Sequence, residues 1–218
     1  MTRRCLVFAA VFAMLAFAAA PAHATFHLMQ VEQVIGGVGG DTSAQAIQLR
    51  MRHNGQGGVS KARLVVRDAA GANPVVLIDF DTDITPENQG ERILIVSTGF
   101  SAHTNPTVVP DFTLVNTIPD SYLAAGSLTY ETNGGLVLWR LSWGGNGYTG
   151  SNRGAGFNDK GGNFGPPFSG PLPSTGTDAL LFQGAAAAKS TTNANDYAVT
   201  SGPAVFTNSA GDTVVVTP

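Results

Sequence analysis

Three aspartates spaced two residues apart are the residues of this sequence best suited to bind a metal ion. Asp79, Asp81 and Asp83 alternate with Ile78 and Phe80. Because successive side chains of a β-strand point to opposite faces, this spacing places the three carboxylates on one face. Calcium takes six or more oxygen ligands, so the cluster predicts a calcium site, although the EF-hand pattern is not met. The alternative is a solvated strand face that blocks pairing at a sheet edge.

A long segment rich in glycine, asparagine and proline, residues 144–176, carries the side chains that we expect to bind a ligand. Loops of this length are uncommon unless they are functional or disordered, and disorder is the alternative here. Rigid aromatic rings among small polar residues are typical of binding loops. The predicted ligand-binding residues are Tyr148, Arg153, Phe157, Lys160 and Phe164.

The sequence contains no familiar catalytic motif. A Gly-x-Ser-x-Gly turn is absent, and the three histidines that follow residue 24 lack the spacing of zinc ligands. Carboxylate pairs for glycoside hydrolysis can be drawn from Asp111, Asp120 and Glu131, but β-proteins generally offer such pairs. The sequence therefore favours a non-enzymatic protein, and a hydrolase with an unrecognised carboxylate pair remains the alternative.

Short alternating strands separated by turn residues must position these side chains. In the first strand, Met29, Val31 and Ile35 are expected on one face. In the second, Ile47 and Leu49 alternate with polar residues, which is the period-2 pattern of a strand with one buried face. The other strands are equally short, so the pattern predicts an all-β fold, an antiparallel β-sandwich with long Gly/Asn/Pro-rich loops, as one domain over residues 25–218.

A tryptophan pair lies near the middle of the chain. Trp139 and Trp143 share one face of a predicted strand, which follows an Asn133-Gly134 hairpin turn. Such a face either packs in the core or offers a platform for a sugar ring. The unbroken apolar face, which also includes Val137, favours the core.

Two segments carry a family resemblance. Residues 27–34, followed after a turn by residues 45–49, are similar to an apolar-Glu-apolar strand followed by an x-Ile-Glu-Leu strand. Residues 92–100 are similar to a strand that closes with Thr-x-Gly-Phe. Both patterns resemble bacterial secreted proteins with a lamin-tail-like, immunoglobulin-type β-sandwich. The resemblance implies that fold and a secreted or surface context; it implies no catalytic residues, and Gln48 stands where the family usually has Glu.

The N-terminus is expected to direct export. Arg3 and Arg4 precede an apolar run, and Ala22-His23-Ala24 offers a signal-peptidase site, so residues 1–24 are predicted to be a secretory signal peptide. The chain has 12 Lys+Arg and 15 Asp+Glu, and loss of the two signal arginines leaves a mature charge of −5. This acidic balance disfavours nucleic acid, and no later apolar run predicts a membrane span. The only cysteine, Cys5, lies within the signal.

These patterns together predict a secreted, periplasmic or extracellular, non-catalytic module that binds a cell-surface or extracellular component through its loops. The two alternatives are a secreted hydrolase and a calcium-stabilised structural module. No cofactor other than calcium is expected.

Overall fold

A computed structural model describes residues 25–156 and 161–218, and the regular secondary structure of these residues consists almost entirely of β-strands joined by turns and loops. The predicted signal peptide, Phe157 and Lys160 lie outside the described residues. Helical structure within them is limited to short turns, which include the α-helical turns α1 (Asp120–Leu123) and α2 (Asn193–Asp196). The predicted all-β class is confirmed.

The strands of the described residues form three sheets. The six-stranded sheet has the spatial order β11 (Tyr197–Val199), β10 (Leu180–Phe182), β1 (Met29–Ile35), β2 (Ala46–Met51), β5 (Arg92–Val96) and β7 (Phe112–Thr113). The four-stranded sheet has the order β4 (Val75–Asp79), β3 (Ala62–Arg67), β8 (Gly126–Thr132) and β9 (Val137–Trp143). The three-stranded sheet has the order β12 (Val205–Thr207), β13 (Thr213–Val216) and β6 (Thr104–Asn105). Neighbouring strands are antiparallel, apart from the parallel pair β5–β7.

The main hydrophobic core lies between the six-stranded and four-stranded sheets. Ile47 and Leu49 from β2 pack there with Trp139 and Trp143 from β9, and all four side chains are fully buried. The prediction that the tryptophan pair belongs to the core is confirmed. Burial of large apolar side chains at about 25 cal/mol per Å² is the main favourable contribution to holding two sheets face to face.

Part of the opposite face of the six-stranded sheet is also covered, by the three-stranded sheet. Ile35, Leu94 and Val96 form a second apolar cluster there with Phe206 of β12 and its neighbours. Strand β2, in the middle of the six-stranded sheet, is therefore buried on both faces and has no exposed residue. A strand with one solvated face was expected from the alternating pattern, and the added sheet is the reason for the difference.

A β-bulge interrupts β1 at Glu32. Val31 pairs with Leu49, and Gln33 pairs with Gln48, so β1 has one residue more than β2 across this step. An extra residue reverses the alternation of all that follow. The expectation that Ile35 shares a face with Met29 and Val31 was therefore wrong, since Ile35 belongs to the second apolar cluster.

A buried chain of hydrogen bonds crosses the main core beside this bulge. Trp139 Nε1 donates to the hydroxyl of Tyr197 at 2.8 Å, and this hydroxyl donates to the carbonyl of Val31 at 2.6 Å. Tyr197 is 3% exposed, and burial raises the pKa of its hydroxyl. Because buried polar groups are costly when unpaired, this chain fixes the two sheets in one relative position.

Replacement of Tyr197 by Phe should lower the free energy of unfolding by about 1–3 kcal/mol, because it removes the acceptor of the Trp139 N–H and a donor to the Val31 carbonyl in the core. Urea-induced unfolding followed by tryptophan fluorescence measures the effect. The matched control is Tyr122→Phe, which removes a hydroxyl that donates to Asn73 O at the surface. Equal effects of the two substitutions would contradict the role given to Tyr197.

Candidate functional site

A cavity of about 720 Å³ opens on the second face of the six-stranded sheet, beside the part that the three-stranded sheet covers. Its floor is formed by five polar residues of β1, β2 and β5, here called the polar face. The polar face comprises Glu32, Gln33, Gln48, Arg50 and Arg92. The segment that joins β11 to β12, residues 200–204, forms one wall of this polar-face cavity.

Glu32 is at the centre of the polar face and has its hydrogen-bonding capacity filled. Arg50 Nη1 lies 2.7 Å from Oε1, and Arg92 donates to both oxygens, from Nε at 2.8 Å and from Nη2 at 3.0 Å. Gln48 Nε2 donates to Oε2 at 2.8 Å. An ionised carboxylate has about four acceptor positions, so these four bonds saturate it. Glu32, which is 3% exposed, thus organises its neighbours.

Arg50 is fixed along its whole guanidinium group. Its Nε donates to Gln30 Oε1 at 2.8 Å, and its Nη2 donates to the carbonyl of Gly184 at 2.7 Å, in addition to the ion pair with Glu32. Burial lowers the pKa of Arg50, the carboxylate of Glu32 raises it, and the like charge of Arg92 lowers it again. The two arginines therefore repel each other across a single carboxylate.

Gln48 connects the ion cluster to the wall of the cavity. Its Nε2 donates to Glu32, while its Oε1 accepts from the backbone N–H of Thr207 in β12 at 2.6 Å. An amide can donate and accept at once, whereas a carboxylate can only accept. A glutamine at position 48 is thus matched to this double contact.

Gln33 is the residue of the polar face that lacks a partner. It is 3% exposed, and its Nε2 donates to no acceptor among the described residues. A buried donor without a partner costs about 1–3 kcal/mol. Gln33 also lines the cavity, so this unpartnered donor lies at the border of the space that a ligand would occupy.

The sequence did not predict the polar face as a site. Glu32 and Gln33 are consecutive, and the regular alternation of a strand would place them on opposite faces. The bulge instead brings both to the cavity. Arg50 and Arg92 come together because they are directly paired in register between β2 and β5. The resemblance drew attention to Gln48, which was the one available signal.

Residues 144–156 and 161–176 form a covering along the free edge of β9. Ala155 N donates to the carbonyl of Val137, and Phe168 N donates to that of Ser142. Between them, the side-chain amide of Asn193 accepts from Ser142 N at 2.9 Å and donates to Arg140 O at 3.0 Å, as a neighbouring strand would. The free edge of a strand needs such protection.

Within this covering, the predicted ligand-binding residues that the structure describes lie in different environments. Phe164 has no exposed surface and packs edge-to-face on Trp139, with ring centroids 5.5 Å apart. Tyr148 is 5% exposed, and its hydroxyl donates to Ser151 O at 2.9 Å. Arg153 is exposed. Phe164 and Tyr148 therefore present no aromatic face to solvent, and the segment does not bring the three side chains to one cavity.

Replacement of Phe164 by Ala should lower the free energy of unfolding by about 3–5 kcal/mol, since it leaves a cavity against Trp139. Arg153→Ala, in the same segment but exposed, should change it by less than about 0.5 kcal/mol. Urea-induced unfolding of both variants measures the difference. A change of less than about 1 kcal/mol in the free energy of unfolding for Phe164→Ala would contradict the packing of this segment on β9 and would indicate a loose loop.

The three aspartates expected to bind calcium are exposed, and they do not line a common depression. Asp79 and Asp81 line a second depression, of about 440 Å³, together with Asp111. Asp83 instead accepts from the backbone N–H of Ser60 at 3.0 Å, and hydrogen bonds from the Ser60 hydroxyl and N–H lower the pKa of this carboxyl. Across residues 25–156 and 161–218, no group of three His, Asp or Glu side chains has an arrangement suited to a metal ion.

The calcium hypothesis can be checked directly by thermal unfolding. Because Asp83 is engaged by Ser60, we expect the melting temperature measured with EDTA to remain unchanged after addition of millimolar calcium. A ligand bound only by the native state would raise it. A calcium-dependent rise that is lost in Asp81→Asn would contradict this expectation and would make the acidic cluster a metal site.

Comparison with known proteins gives no assignment. No protein-family model matches the chain, and no curated protein has significant sequence similarity to it. None of the helices in the described part of the chain is both long and apolar enough to cross a membrane.

Proposed function

We propose that this protein is a non-catalytic binding domain, exported from the cell, that holds part of a cell-surface or extracellular component in the polar-face cavity. The observation that carries the proposal is the cavity floor, where a saturated ion cluster lies beside the unpartnered amide of Gln33. The volume of about 720 Å³ falls within the range usual for small-molecule sites.

The chemistry of the floor favours binding over hydrolysis. Glu32 is the only acidic residue among those that line this cavity within the described part of the chain, and its oxygens already accept four hydrogen bonds. Glycoside hydrolysis with a carboxylate pair needs a second carboxylate about 5–10 Å away and at least one with a free oxygen. The cavity floor is thus suited to bind a ligand rather than to hydrolyse one.

The proposed fold family is the lamin-tail-like, immunoglobulin-type β-sandwich. The support for it is that the two similar segments correspond to β1, β2 and β5, which are direct neighbours in the six-stranded sheet. These strands also carry the polar face. Export is proposed from the signal sequence alone.

Blocking the polar-face cavity should abolish binding without unfolding the protein. Gly202 lines the cavity, and a Cβ added there meets no atom within 4 Å, so this position accepts a side chain and Gly202→Trp is chosen to fill the space. Saturation-transfer NMR with N-acetylated amino acids, N-acetylated sugars and alkylamines, as three separate sets, measures binding to the exported protein. We expect one set to bind the wild type and to lose its signal with Gly202→Trp.

The matched control is Arg153→Gln, an exposed substitution away from the cavity lining, which should leave the signal unchanged. Ala198→Trp is a second blocking variant on β11, should the first prove unstable. The proposal fails if no set binds. It also fails if a set binds but neither blocking variant changes its signal, provided that both variants have the melting temperature of the wild type.

A further inference from the structure

The polar face carries an excess of one positive charge. Arg50 and Arg92 lie on either side of the single carboxylate of Glu32. One added negative charge would balance the cluster and relieve the repulsion between the two guanidinium groups. A carboxylate brings one negative charge, whereas a phosphate monoester brings nearly two.

Arg92 is the part of the cluster that a ligand can reach. Its side chain is 36% exposed, whereas that of Arg50 is 11% exposed. A guanidinium has five N–H bonds, and Arg92 uses two of them on Glu32. The others have no acceptor among the described residues, and guanidinium N–H groups pair well with carboxylate oxygens.

Gln33 is suited to bind a different chemical group, at a separate point of the cavity floor. Its buried Nε2 donor suits a neutral acceptor such as an amide carbonyl. Gln33 pairs with Gln48, and Arg92 pairs with Arg50, so the two residues are two strands and two positions apart. With ~4.8 Å between strands and ~3.3 Å per residue, their Cα atoms are separated by ~12 Å. The Arg92 guanidinium extends to Glu32 of β1, and the Gln33 amide is a second donor on that strand, so a ligand that meets both donors needs an acceptor in addition to its carboxylate.

One side of the cavity is apolar. Leu181, Val199 and Val205 line it, and Val199 and Val205 are 44% and 46% exposed. Partly exposed valines beside a polar floor suit a ligand with an apolar body.

We infer that the polar-face cavity binds an N-acyl amino acid with an apolar side chain, either free or as the C-terminal residue of a peptide. In this arrangement Arg92 binds the carboxylate, and Gln33 donates to an amide carbonyl. The apolar side chain packs on the valine side of the cavity. This inference rests on the binding function proposed above and names the ligand class of the same site.

The test compares matched ligands by isothermal titration. N-acetyl-leucine should bind the wild type, and N-acetyl-leucinamide, which lacks the charge, should bind at least about tenfold more weakly. N-acetyl-alanyl-leucine separates the two sources: equal affinity indicates recognition of the free N-acyl amino acid, and tighter binding indicates a peptide C-terminus. Equal affinities for leucine and leucinamide derivatives would overturn the inference.

Two nearly isosteric substitutions test the residues. Gln33→Met removes the unpartnered donor, so it should raise the melting temperature of the unliganded protein by about 2–4 °C and weaken N-acetyl-leucine binding about tenfold. If Gln33 had only a structural role, Gln33→Met would change the melting temperature but not the affinity for N-acetyl-leucine. Gln48→Glu cancels the excess positive charge and should weaken binding at least about tenfold, with the fold verified by near-ultraviolet circular dichroism.

Failure of this inference is separable from failure of the proposed function. If N-acetylated sugars or alkylamines bind instead and Gly202→Trp abolishes that binding, the cavity is a binding site but the carboxylate class is wrong. If neither N-acetyl-leucine nor any other probe binds in a way that Gly202→Trp abolishes, both fail. Arg153→Gln, which leaves the polar face intact, should bind N-acetyl-leucine as the wild type does.

Discussion

The bulge at Glu32 is the constraint on which the rest of the structure depends. It brings two consecutive polar residues, Glu32 and Gln33, to the same face of β1, and it shifts Ile35 into the second apolar cluster. The carbonyl of Val31, beside the bulge, accepts the hydroxyl of Tyr197, which in turn accepts from Trp139 in the opposing sheet. One inserted residue thus links the position of the two large sheets to the composition of the cavity floor.

Glu32 also explains why β1 and β2, which have no exposed residue, can carry charges. A buried carboxylate is strongly destabilising unless it is paired and hydrogen-bonded, and Glu32 meets both conditions through Arg50, Arg92 and Gln48. Removal of a partner would leave an uncompensated buried charge. The cluster is therefore a rigid unit, and the contact from Gln48 to Thr207 extends its rigidity to the wall of the cavity.

Features that depend on local sequence patterns could be predicted from the sequence, whereas features that depend on contacts between distant residues could not. Alternation of Ile47 and Leu49 with polar residues, and the shared face of Trp139 and Trp143, are local patterns, and both correctly predicted core positions. The orientation of Ile35 was wrong because a bulge leaves no mark in an alternating pattern. The polar face was missed because its residues meet only through the register of β1, β2 and β5, and no local pattern specifies which strands pair.

The contrast between Glu32 and Gln33 supports recognition as the role of this surface. Both are 3% exposed and adjacent in sequence, yet one has every acceptor position filled and the other has an unpartnered donor. A surface shaped by stability alone would fill that position with an apolar side chain of similar volume, since this removes a cost of about 1–3 kcal/mol. A bound acceptor offsets the same cost only in the complex. The unpaired amide is thus unfavourable in the free protein and favourable on binding, as expected of a ligand contact.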